Sequence, residues 1–537
     1  MNQVTVYDTT LRDGAQMEGI SLSLSDKLRI LPILDELGVD IVEGGWPGAI
    51  PKDTEFFRQA TQIPLRHARL AAFGSTCRAG VPAAEDPQVL ALRDSGAPII
   101  TLVAKSDPRH VKEALRTSEE ENLRMVADTV TFLAQSAEVM VDLEHYFDGL
   151  AFDPTYGVQV ALAAAQAGAS AVICCDTNGG NLPPTIARAV AQLRATLDEA
   201  GFEQVEVGIH AHNDTGCAVA NTLAAIEAGA TQFQGTVNGY GERTGNANLL
   251  TCLANLQLKL GYELVSAGAL RTLTAVSYRV AEIVNMAAFA RDPYVGQSAF
   301  AHKAGLHASA IRVNPDLYQH LDPDRVGNDM RMLVSEMAGR ASIELKASEL
   351  GIDLGEAKDL TAQVAHLVKA REAEGYTYDA ADASFDLLLR EALGEAPHFW
   401  RVESWKVTTR EITNDDDVVF AESEATVKLR VGDRYISTAE GNGPVNALDQ
   451  ALRIALEDVY PHVAQFHLTN FKVRILDEDR GGTDAPIRVL IDQEDEQTGL
   501  RWTTVGVATN IIEASWQALL DSYRYGLMQA GAPALTS

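Results

Sequence analysis

The segment His210-Ala211-His212 is the pattern with the clearest chemical meaning in this 537-residue sequence. Alternate residues of a β-strand point to the same side, so two imidazoles at this spacing can face one ion. Imidazole suits Zn²⁺ and Mn²⁺, and added carboxylate or amide ligands favour Mg²⁺ or Mn²⁺. With Asp13 as a third ligand and Asn246 as a fourth, the pattern predicts a site for a divalent metal (Mg, Mn or Zn). A histidine pair without a metal is the alternative interpretation.

Three further side chains could act on a substrate beside such a metal. Arg12 precedes Asp13 and would add a second positive group, which suits stabilisation of an oxyanion on a ketone; a surface salt bridge is the alternative. Glu144 could serve as an acid or base, or could only orient another group. Thr177, followed by the pair Gly179-Gly180, could bind a substrate carboxylate or mark a plain turn.

The elements that must position these residues are short apolar runs rich in β-branched residues, each followed by a longer amphipathic stretch. Eight strand-and-helix repeats within about 250 residues predict an α/β fold, a (β/α)₈ TIM barrel. Barrel enzymes place catalysis at the carboxyl ends of the strands, and closure brings the first strand close to the seventh and eighth. A doubly wound open sheet is disfavoured because no G-x-G-x-x-G follows the first strand. The predicted strands are Val4–Tyr7, Ile41–Glu43, Arg69–Phe73, Ile99–Val103, Val139–Leu143, Ala171–Cys174, Glu206–His210 and Gln232–Thr236.

The chain beyond the barrel has a different pattern. A helix is predicted over 269–290, followed by a loop-rich stretch and then by helical linker subdomains. Further on, strand patterns dominate, and each cluster of strands precedes a helix. Val445 and Leu452 of the first helix align with Ile512 and Leu519 of the second, which favours an internal repeat over a coincidence of amphipathic helices. The predicted domains are a barrel at 1–270, linker or lid subdomains at 271–396, and an α+β domain with an internal repeat at 397–537.

The charge balance and the cysteine content exclude several classes of protein. The net charge is −30, from 44 Lys and Arg against 74 Asp and Glu, which argues against nucleic-acid and anionic-membrane partners. Five cysteines in a chain of this length are too few for a disulfide scaffold. The first residues do not resemble a signal peptide, and no apolar run reaches membrane-spanning length. We therefore expect a cytoplasmic protein.

Three motifs, in order and at successive strand ends, resemble those of the 2-isopropylmalate, homocitrate and citramalate synthase family. They are Tyr7–Gly14, His210–Asp214 and Gly241–Asn246. The resemblance covers essentially the whole chain, because Gly441–Leu448 is similar to the start of a helix in the regulatory, dimer-forming domain of this family. It implies metal-dependent barrel enzymes that act as acyltransferases, converting acyl groups into alkyl groups on transfer.

Two further segments resemble the citramalate-forming members most closely. They are Glu43–Gly48 and Asp142–Gly149. Asp142 departs from the pattern of some of these members, which have Tyr at this place as a wall of the pyruvate pocket. The pocket wall must therefore be built differently in this chain.

The resemblance implies a Claisen-type condensation of acetyl-CoA with pyruvate, followed by thioester hydrolysis to (R)-citramalate and CoA. It assigns the metal to the two histidines, Asp13 and Asn246, the developing alkoxide to Arg12 and the substrate carboxylate to Thr177. It also implies that His307 and Tyr318, together with Glu144, form the acid/base group. His307 and Tyr318 follow the barrel in the chain and would cover the barrel mouth of the partner subunit, which implies an obligate homodimer.

The region from residue 397 onwards would bind an amino-acid effector, with isoleucine expected from the family and the substrate. A purely dimerising role for this region is the alternative. Other readings of the whole chain also stay open at this point. They are 2-isopropylmalate or homocitrate synthase, a metal-dependent C–C lyase or decarboxylase on the same barrel, and a non-catalytic amino-acid sensor.

Overall fold

Eight parallel strands close into a barrel in the computed structural model, which describes residues 4–335, 339–354, 358–413, 419–476 and 484–535. The strands are β1 (Thr5–Asp8), β2 (Ile41–Gly45), β3 (Arg69–Ser75), β4 (Ile99–Lys105), β5 (Glu138–Glu144), β6 (Ala171–Asp176), β7 (Glu206–Ala211) and β8 (Gln232–Gly235). β1 pairs with β2 on one side and with β8 on the other, so Tyr7 lies opposite both Ile41 and Gln234. The predicted (β/α)₈ barrel is confirmed.

Helices follow the strands and cover the outside of the barrel. The first of them, Leu24–Leu37, illustrates how the sequence sets their limits. Ser23 and Asp26 form a capping box at its start, and Gly38 ends it in the left-handed conformation with φ of 91°. The helices of this part are α1 (Leu24–Leu37), α2 (Pro51–Ala60), α3 (Pro87–Arg93), α4 (Pro108–His110), α5 (Glu119–Leu133), α6 (Tyr146–Phe152), α7 (Tyr156–Gln166), α8 (Pro183–Glu199), α9 (Ala218–Glu227), α10 (Leu249–Leu258), α11 (Ala267–Leu270) and α12 (Leu273–Ile283).

Apolar side chains fill both sides of the barrel wall. Tyr7, Ile41 and Met140 belong to a buried cluster of strand residues, whereas their neighbours Val6 and Val42 pack in the large core that includes the surrounding helices. Alternate residues of a strand face opposite sides, which is why the parallel strands are apolar at successive positions. Polar side chains are therefore left to the strand ends and to a few interior positions.

The prediction of one helix over 269–290 is wrong. The chain forms α11 and α12 there, with Arg271 and Thr272 between them, and α12 ends at Ile283. Asn285 then adopts a left-handed conformation with φ of 56°, and the amide of Met286 bonds back to the carbonyl of Ala281. A left-handed residue stops helix propagation, so an amphipathic pattern alone overestimated the length of this helix.

The described chain divides into two compact units. The first contains residues 1–300 and 321–329, and the second contains 301–320 and 330–537. The elements of the second unit are β9 (Ala301–His302), α13 (Gly305–Ile311), β10 (Arg331–Met332), α14 (Arg340–Glu349), α15 (Lys358–Ala373), α16 (Asp382–Leu393), β11 (Arg401–Thr413), β12 (Val419–Val431), β13 (Asp433–Gly441), α17 (Pro444–Glu457), β14 (Phe466–Ile475), β15 (Ile487–Asp495), β16 (Arg501–Ala508) and α18 (Ile511–Gln529).

The second unit contains the predicted internal repeat. Two antiparallel sheets, β11-β12-β13 and β14-β15-β16, are each followed by a helix, α17 and α18 respectively. Buried Leu452 and Leu519 occupy matching positions of these helices and belong to one core. The sequence pattern missed β13, whose polar and half-exposed residues give little apolar alternation. A second core joins the helical linker to the last sheet, because Ile343 and Phe385 share it with Val505. The division at 270 and 396 stays a prediction.

Long apolar helices are absent from the part of the chain that the structure describes. None of its helices has the length and the hydropathy needed to cross a membrane.

Candidate active site

Asp13, His210 and His212 meet at the carboxyl ends of neighbouring strands. Asp13 lies in the turn after β1, His210 lies in β7, and His212 follows that strand. The His210 Nε2 atom is 3.1 Å from Asp13 Oδ2 and 3.2 Å from His212 Nε2, and His212 Nε2 is 3.9 Å from Asp13 Oδ2. All three residues are buried, and one ligand atom of each lies within 4.8 Å of the others. The structure thus brings together three of the four predicted metal ligands with their donor atoms converging.

Asn246 is the fourth predicted ligand and adjoins the same centre. Its Nδ2 donates to Asp13 Oδ2 at 2.7 Å and lies 3.3 Å from His210 Nε2, while its buried Oδ1 has no hydrogen-bond partner among the described residues. An amide that turns by half a rotation would direct this oxygen to the centre. The absence of a side chain at Gly241 leaves space for the Asn246 amide, because a Cβ at position 241 would lie 1.9 Å from Asn246 Oδ1.

The charge states of this cluster suit a divalent cation. Burial acts to raise the pKa of Asp13, but Arg12 and His210 outweigh it and hold this pKa well below its usual range. Burial and the neighbouring His210 lower the pKa of His212 to about 4, so its imidazole is neutral at neutral pH. Burial acts to lower the pKa of His210, yet the hydrogen bond and the charge of Asp13 raise it. Metal ligands must be deprotonated, so an ion at this centre would bind the neutral imidazoles of both histidines.

Arg12 is held in one orientation beside this centre. Its Nε donates to Glu43 Oε1 at 2.6 Å, its Nη1 lies 3.3 Å from Asp13 Oδ1, and its guanidinium lies 3.8 Å from the centre of the Phe73 ring. Glu43 is itself fixed, because Tyr7 donates its hydroxyl proton to Glu43 Oε2 at 2.8 Å. The side chain of Arg12 is 14% exposed, so this cation remains accessible to a small ligand.

Glu144 and Thr177 lie on the same cavity. The Glu144 carboxylate pairs with the ammonium group of Lys105 at the ends of β5 and β4. The hydroxyl oxygen of Thr177 accepts a 2.8 Å hydrogen bond from the backbone N–H of His145, which leaves its own proton available to a ligand. The carbonyl of Thr177 accepts from Arg243 at 2.8 Å.

The cavity at the barrel mouth has a volume of about 430 Å³. That volume falls within the range of small-molecule sites. Its lining residues are Arg12, Asp13, Gln16, Trp46, Phe73, Ser75, Val103, Lys105, Asp142, Glu144, Cys175, Thr177, His210, His212, Glu242 and Arg243. Three of the four metal ligand candidates, Asp13, His210 and His212, therefore line one space with Arg12, Glu144 and Thr177, as their strand-end positions predicted.

The two remaining predicted site residues belong to the second unit. His307 lies in α13, and Tyr318 follows a short turn; their rings stack with centroids 4.1 Å apart. His307 also faces His302 edge to face at 6.4 Å. The structure brings His307 and Tyr318 to each other, within this unit.

Glu43, Lys105 and Gln234 have roles that the sequence reasoning missed. Glu43 orients Arg12, Lys105 pairs with Glu144, and Gln234 bonds to His210. The sequence evidence for the roles of Glu43 and Lys105 was weak, because a polar residue at the end of a strand is also compatible with helix capping. Gln234 is a buried amide inside an apolar barrel, and such a residue needs partners that only the folded barrel identifies.

Three family models match consecutive parts of the chain. The HMGL-like model covers residues 3–280, the homocitrate synthase post-HMGL domain-like model covers 294–373, and the LeuA allosteric (dimerisation) domain covers 379–527. The first of these matches more than half of the chain.

Full-length relatives agree with these matches. A protein named (R)-citramalate synthase from Streptomyces coelicolor is 59% identical over 98% of this chain and 98% of its own length. A protein of the same name from Synechocystis is 48% identical over 97% of this chain and 96% of its own length. A probable 2-isopropylmalate synthase from Methanopyrus kandleri is 31% identical over 97% of both chains.

The resemblance inferred from the three motifs is confirmed by these matches. The closed barrel accounts for the HMGL-like match, and the two sheet-and-helix repeats account for the LeuA match. The chain therefore belongs to the family of 2-isopropylmalate, homocitrate and citramalate synthases, and it is an acyltransferase with a (β/α)₈ catalytic barrel.

Proposed function

We propose that this enzyme condenses acetyl-CoA with pyruvate and hydrolyses the resulting thioester to (R)-citramalate and CoA, as a cytoplasmic step of isoleucine biosynthesis. The observation that carries the proposal is the 59% identity, over 98% of both chains, to a relative named (R)-citramalate synthase. The mouth of the barrel supports it, since a candidate metal centre, a fixed cation and a hydroxyl donor share one cavity.

The residues at the centre fit a divalent cation. Asn246 Oδ1, which has no hydrogen-bond partner in the part of the chain that the structure describes, the neutral His212 and the ionised Asp13 are groups that such an ion binds. Asp13, His210, His212 and Asn246 would hold Mg²⁺, Mn²⁺ or Zn²⁺. When bound, the ion supplies Lewis-acid polarisation of a ketone oxygen.

The side chains around the centre then have separable tasks in the condensation. Arg12 stabilises the negative charge that develops on the former ketone oxygen, and its links to Glu43 and Phe73 keep the guanidinium in place before the reaction begins. Thr177 donates its hydroxyl proton to the pyruvate carboxylate while its oxygen stays bonded to the amide of His145. Both interactions orient the carbonyl carbon for attack.

The methyl group of acetyl-CoA is a weak carbon acid, so the reaction needs a positioned base. We assign the acid/base group to Glu144, His307 and Tyr318. The stacked rings of His307 and Tyr318 support joint action of these two residues, and Lys105 holds Glu144 at the cavity. In this proposal the enzyme is a homodimer, and His307 and Tyr318 serve the barrel of the partner subunit; the LeuA dimerisation match supports the dimer.

We also propose that isoleucine binds to the region from residue 397 onwards and inhibits the enzyme. The match of residues 379–527 to an allosteric domain supports an effector site there. A branched-chain amino acid with a one-carbon difference, valine, is the matched control ligand for this proposal.

The direct test is an assay of thiol release from acetyl-CoA with the full-length enzyme and a divalent metal. Pyruvate should give the highest kcat/KM among pyruvate, 2-oxobutyrate, 2-oxoisovalerate and 2-oxoglutarate, and mass spectrometry should identify citramalate. Isoleucine should lower the rate with pyruvate more than valine does. Best turnover with 2-oxoisovalerate or 2-oxoglutarate would instead assign the chain to the isopropylmalate or homocitrate branch.

A further inference from the structure

The Nδ1 atom of His210 is hydrogen-bonded to a residue of the neighbouring strand. This atom lies 2.7 Å from Gln234 Oε1, and Gln234 is the β8 residue paired in register with His210 of β7. Both side chains are buried. The nitrogen that faces Gln234 is the one on the far side of the ring from Nε2, which faces Asp13.

Gln234 also forms a hydrogen bond across the barrel, to a strand that does not adjoin β8. Gln234 Nε2 donates to Asp142 Oδ1 at 3.0 Å, and Asp142 belongs to β5. Asp142 also lines the cavity and is only 4% exposed. A chain of hydrogen bonds therefore runs through the barrel interior from Asp142 through Gln234 to His210.

The chemistry of the three groups sets the direction of this chain. An amide nitrogen only donates, so Asp142 Oδ1 accepts from Gln234 Nε2, and the Oε1 atom of Gln234 is left to face His210. A carbonyl oxygen only accepts, so the proton between the two must be on Nδ1 of His210. In the neutral imidazole with this tautomer, the lone pair is on Nε2, the nitrogen that faces Asp13 and the centre.

We propose that Asp142 and Gln234 are positioning residues that hold His210 with its proton on Nδ1 and its Nε2 directed at a divalent metal. The inference rests on the proposed metal-dependent function and extends it to two residues outside the four proposed ligands. Of these, Asp142 lines the cavity and Gln234 does not. Partners of this kind fix the tautomer and the ring orientation of a metal-binding histidine.

Two features of the same barrel make the inference specific. His212 Nδ1 is buried without a hydrogen-bond partner among the described residues, so the second histidine has no corresponding support. Gln232, two residues before Gln234 on β8, is also fully buried, but its Nε2 contacts the sulfur of Met140 at 3.4 Å. Replacement of Gln232 therefore removes an equivalent buried amide without touching a histidine.

The test is calorimetric titration of Mn²⁺ into metal-stripped full-length enzyme. Gln234→Leu and Asp142→Leu should each raise the Kd for Mn²⁺ by about 10–100-fold. Asp142→Asn should keep most of the affinity, because its oxygen still accepts from Gln234. Gln232→Leu should bind Mn²⁺ like the wild type. The double variant Asp142→Leu/Gln234→Leu should have a Kd for Mn²⁺ no higher than that of the weaker-binding single variant, because both residues act through His210.

Circular dichroism of each variant verifies that the barrel is folded, and Asp142→Leu tests the inference should Gln234→Leu fail to fold. Wild-type affinity in a folded Gln234→Leu or Asp142→Leu variant would overturn it, as would an equal loss in Gln232→Leu. These outcomes are distinct from failure of the proposed function, in which the wild-type enzyme itself would bind no Mn²⁺ or release no thiol with pyruvate. Saturating Mn²⁺ should restore most of the kcat of Gln234→Leu, which a collapsed cavity would not allow.

Discussion

Arg12 shows how a single residue acquires two neighbours of opposite charge and keeps a free face. Glu43 and Asp13 both lie against its guanidinium, and Phe73 covers one side of it. The attraction of the two carboxylates raises the pKa of Arg12 despite its burial, so this residue is a permanent cation. A cation that is already in place does not have to reorient when negative charge develops on a substrate. This preorganisation is the basis of electrostatic catalysis.

Replacement of Arg12 should separate catalysis from metal binding. Arg12→Ala should lower kcat by about 10²–10³-fold, because a prepositioned donor to the developing oxyanion is lost. His212→Ala should lose metal and activity together. Steady-state kinetics with pyruvate and titration of Mn²⁺ into both variants distinguish the two roles. A kcat near the wild-type value in Arg12→Ala would show that the assigned oxyanion role is wrong.

At the scale of elements, a buried ion pair fixes the end of β2 against its two flanking helices. Lys27 of α1 donates to the carbonyl of Gly44 at 2.9 Å and pairs with Asp53 of α2, and both charged side chains are 2% exposed. Asp53 in turn accepts from the amide of Trp46 at 2.9 Å. These contacts define the path of the chain immediately after Glu43, which orients Arg12.

Loss of this ion pair should destabilise the barrel and impair Arg12 indirectly. Lys27→Met leaves a buried carboxylate without its cation, which should lower the free energy of unfolding by about 3–5 kcal/mol. Lys52→Met is the control, because Lys52 is exposed and its ammonium group donates to the backbone carbonyl of Leu22. Urea unfolding of both variants, followed by circular dichroism, measures the difference. Equal stability of the two variants would contradict the importance given to the buried pair.

At the scale of the whole molecule, the proposed catalytic residues are divided between two units. Arg12, the candidate metal ligands and Glu144 belong to the first unit, whereas His307 and Tyr318 belong to the second. In the proposed homodimer a complete site combines the barrel of one subunit with the second unit of the other. This arrangement would make activity depend on dimer formation as well as on the barrel.

Mixed dimers test the shared site. Arg12→Ala and His307→Ala should each be nearly inactive alone, but a dimer containing one chain of each has one barrel with both functional residues. Random assembly of equal amounts should therefore recover about a quarter of the wild-type activity. Unfolding and refolding of the mixture, with the separate variants as controls, gives the measurement. No recovery in a mixture that sedimentation shows to be dimeric would place His307 with its own barrel.

The pattern of residues was sufficient to predict the barrel and the convergence of Asp13, His210 and His212. The eight strand runs are apolar on both faces, and closure of a parallel barrel leaves little freedom in where the strand ends meet. The repeat beyond residue 397 was also visible, because the helices α17 and α18 have apolar faces in the same positions. Local sequence patterns failed at the missed strand β13 and at the overestimated helix over 269–290. An exposed strand has no alternation of apolar residues, and a left-handed residue that ends a helix does not alter the apolar spacing around it.

By itself, then, the sequence determined the family, the barrel and the residue types at its mouth, because strand-end motifs and apolar periodicity are local properties of the chain. Only the tertiary structure decided which polar groups pair. The links from Glu43 to Arg12, from Lys105 to Glu144, and from Asp142 through Gln234 to His210 join different strands of the barrel or the turn after β1. Hydrogen-bond partners depend on distances of a few tenths of an ångström between elements far apart in the chain, and no spacing within one strand contains that information.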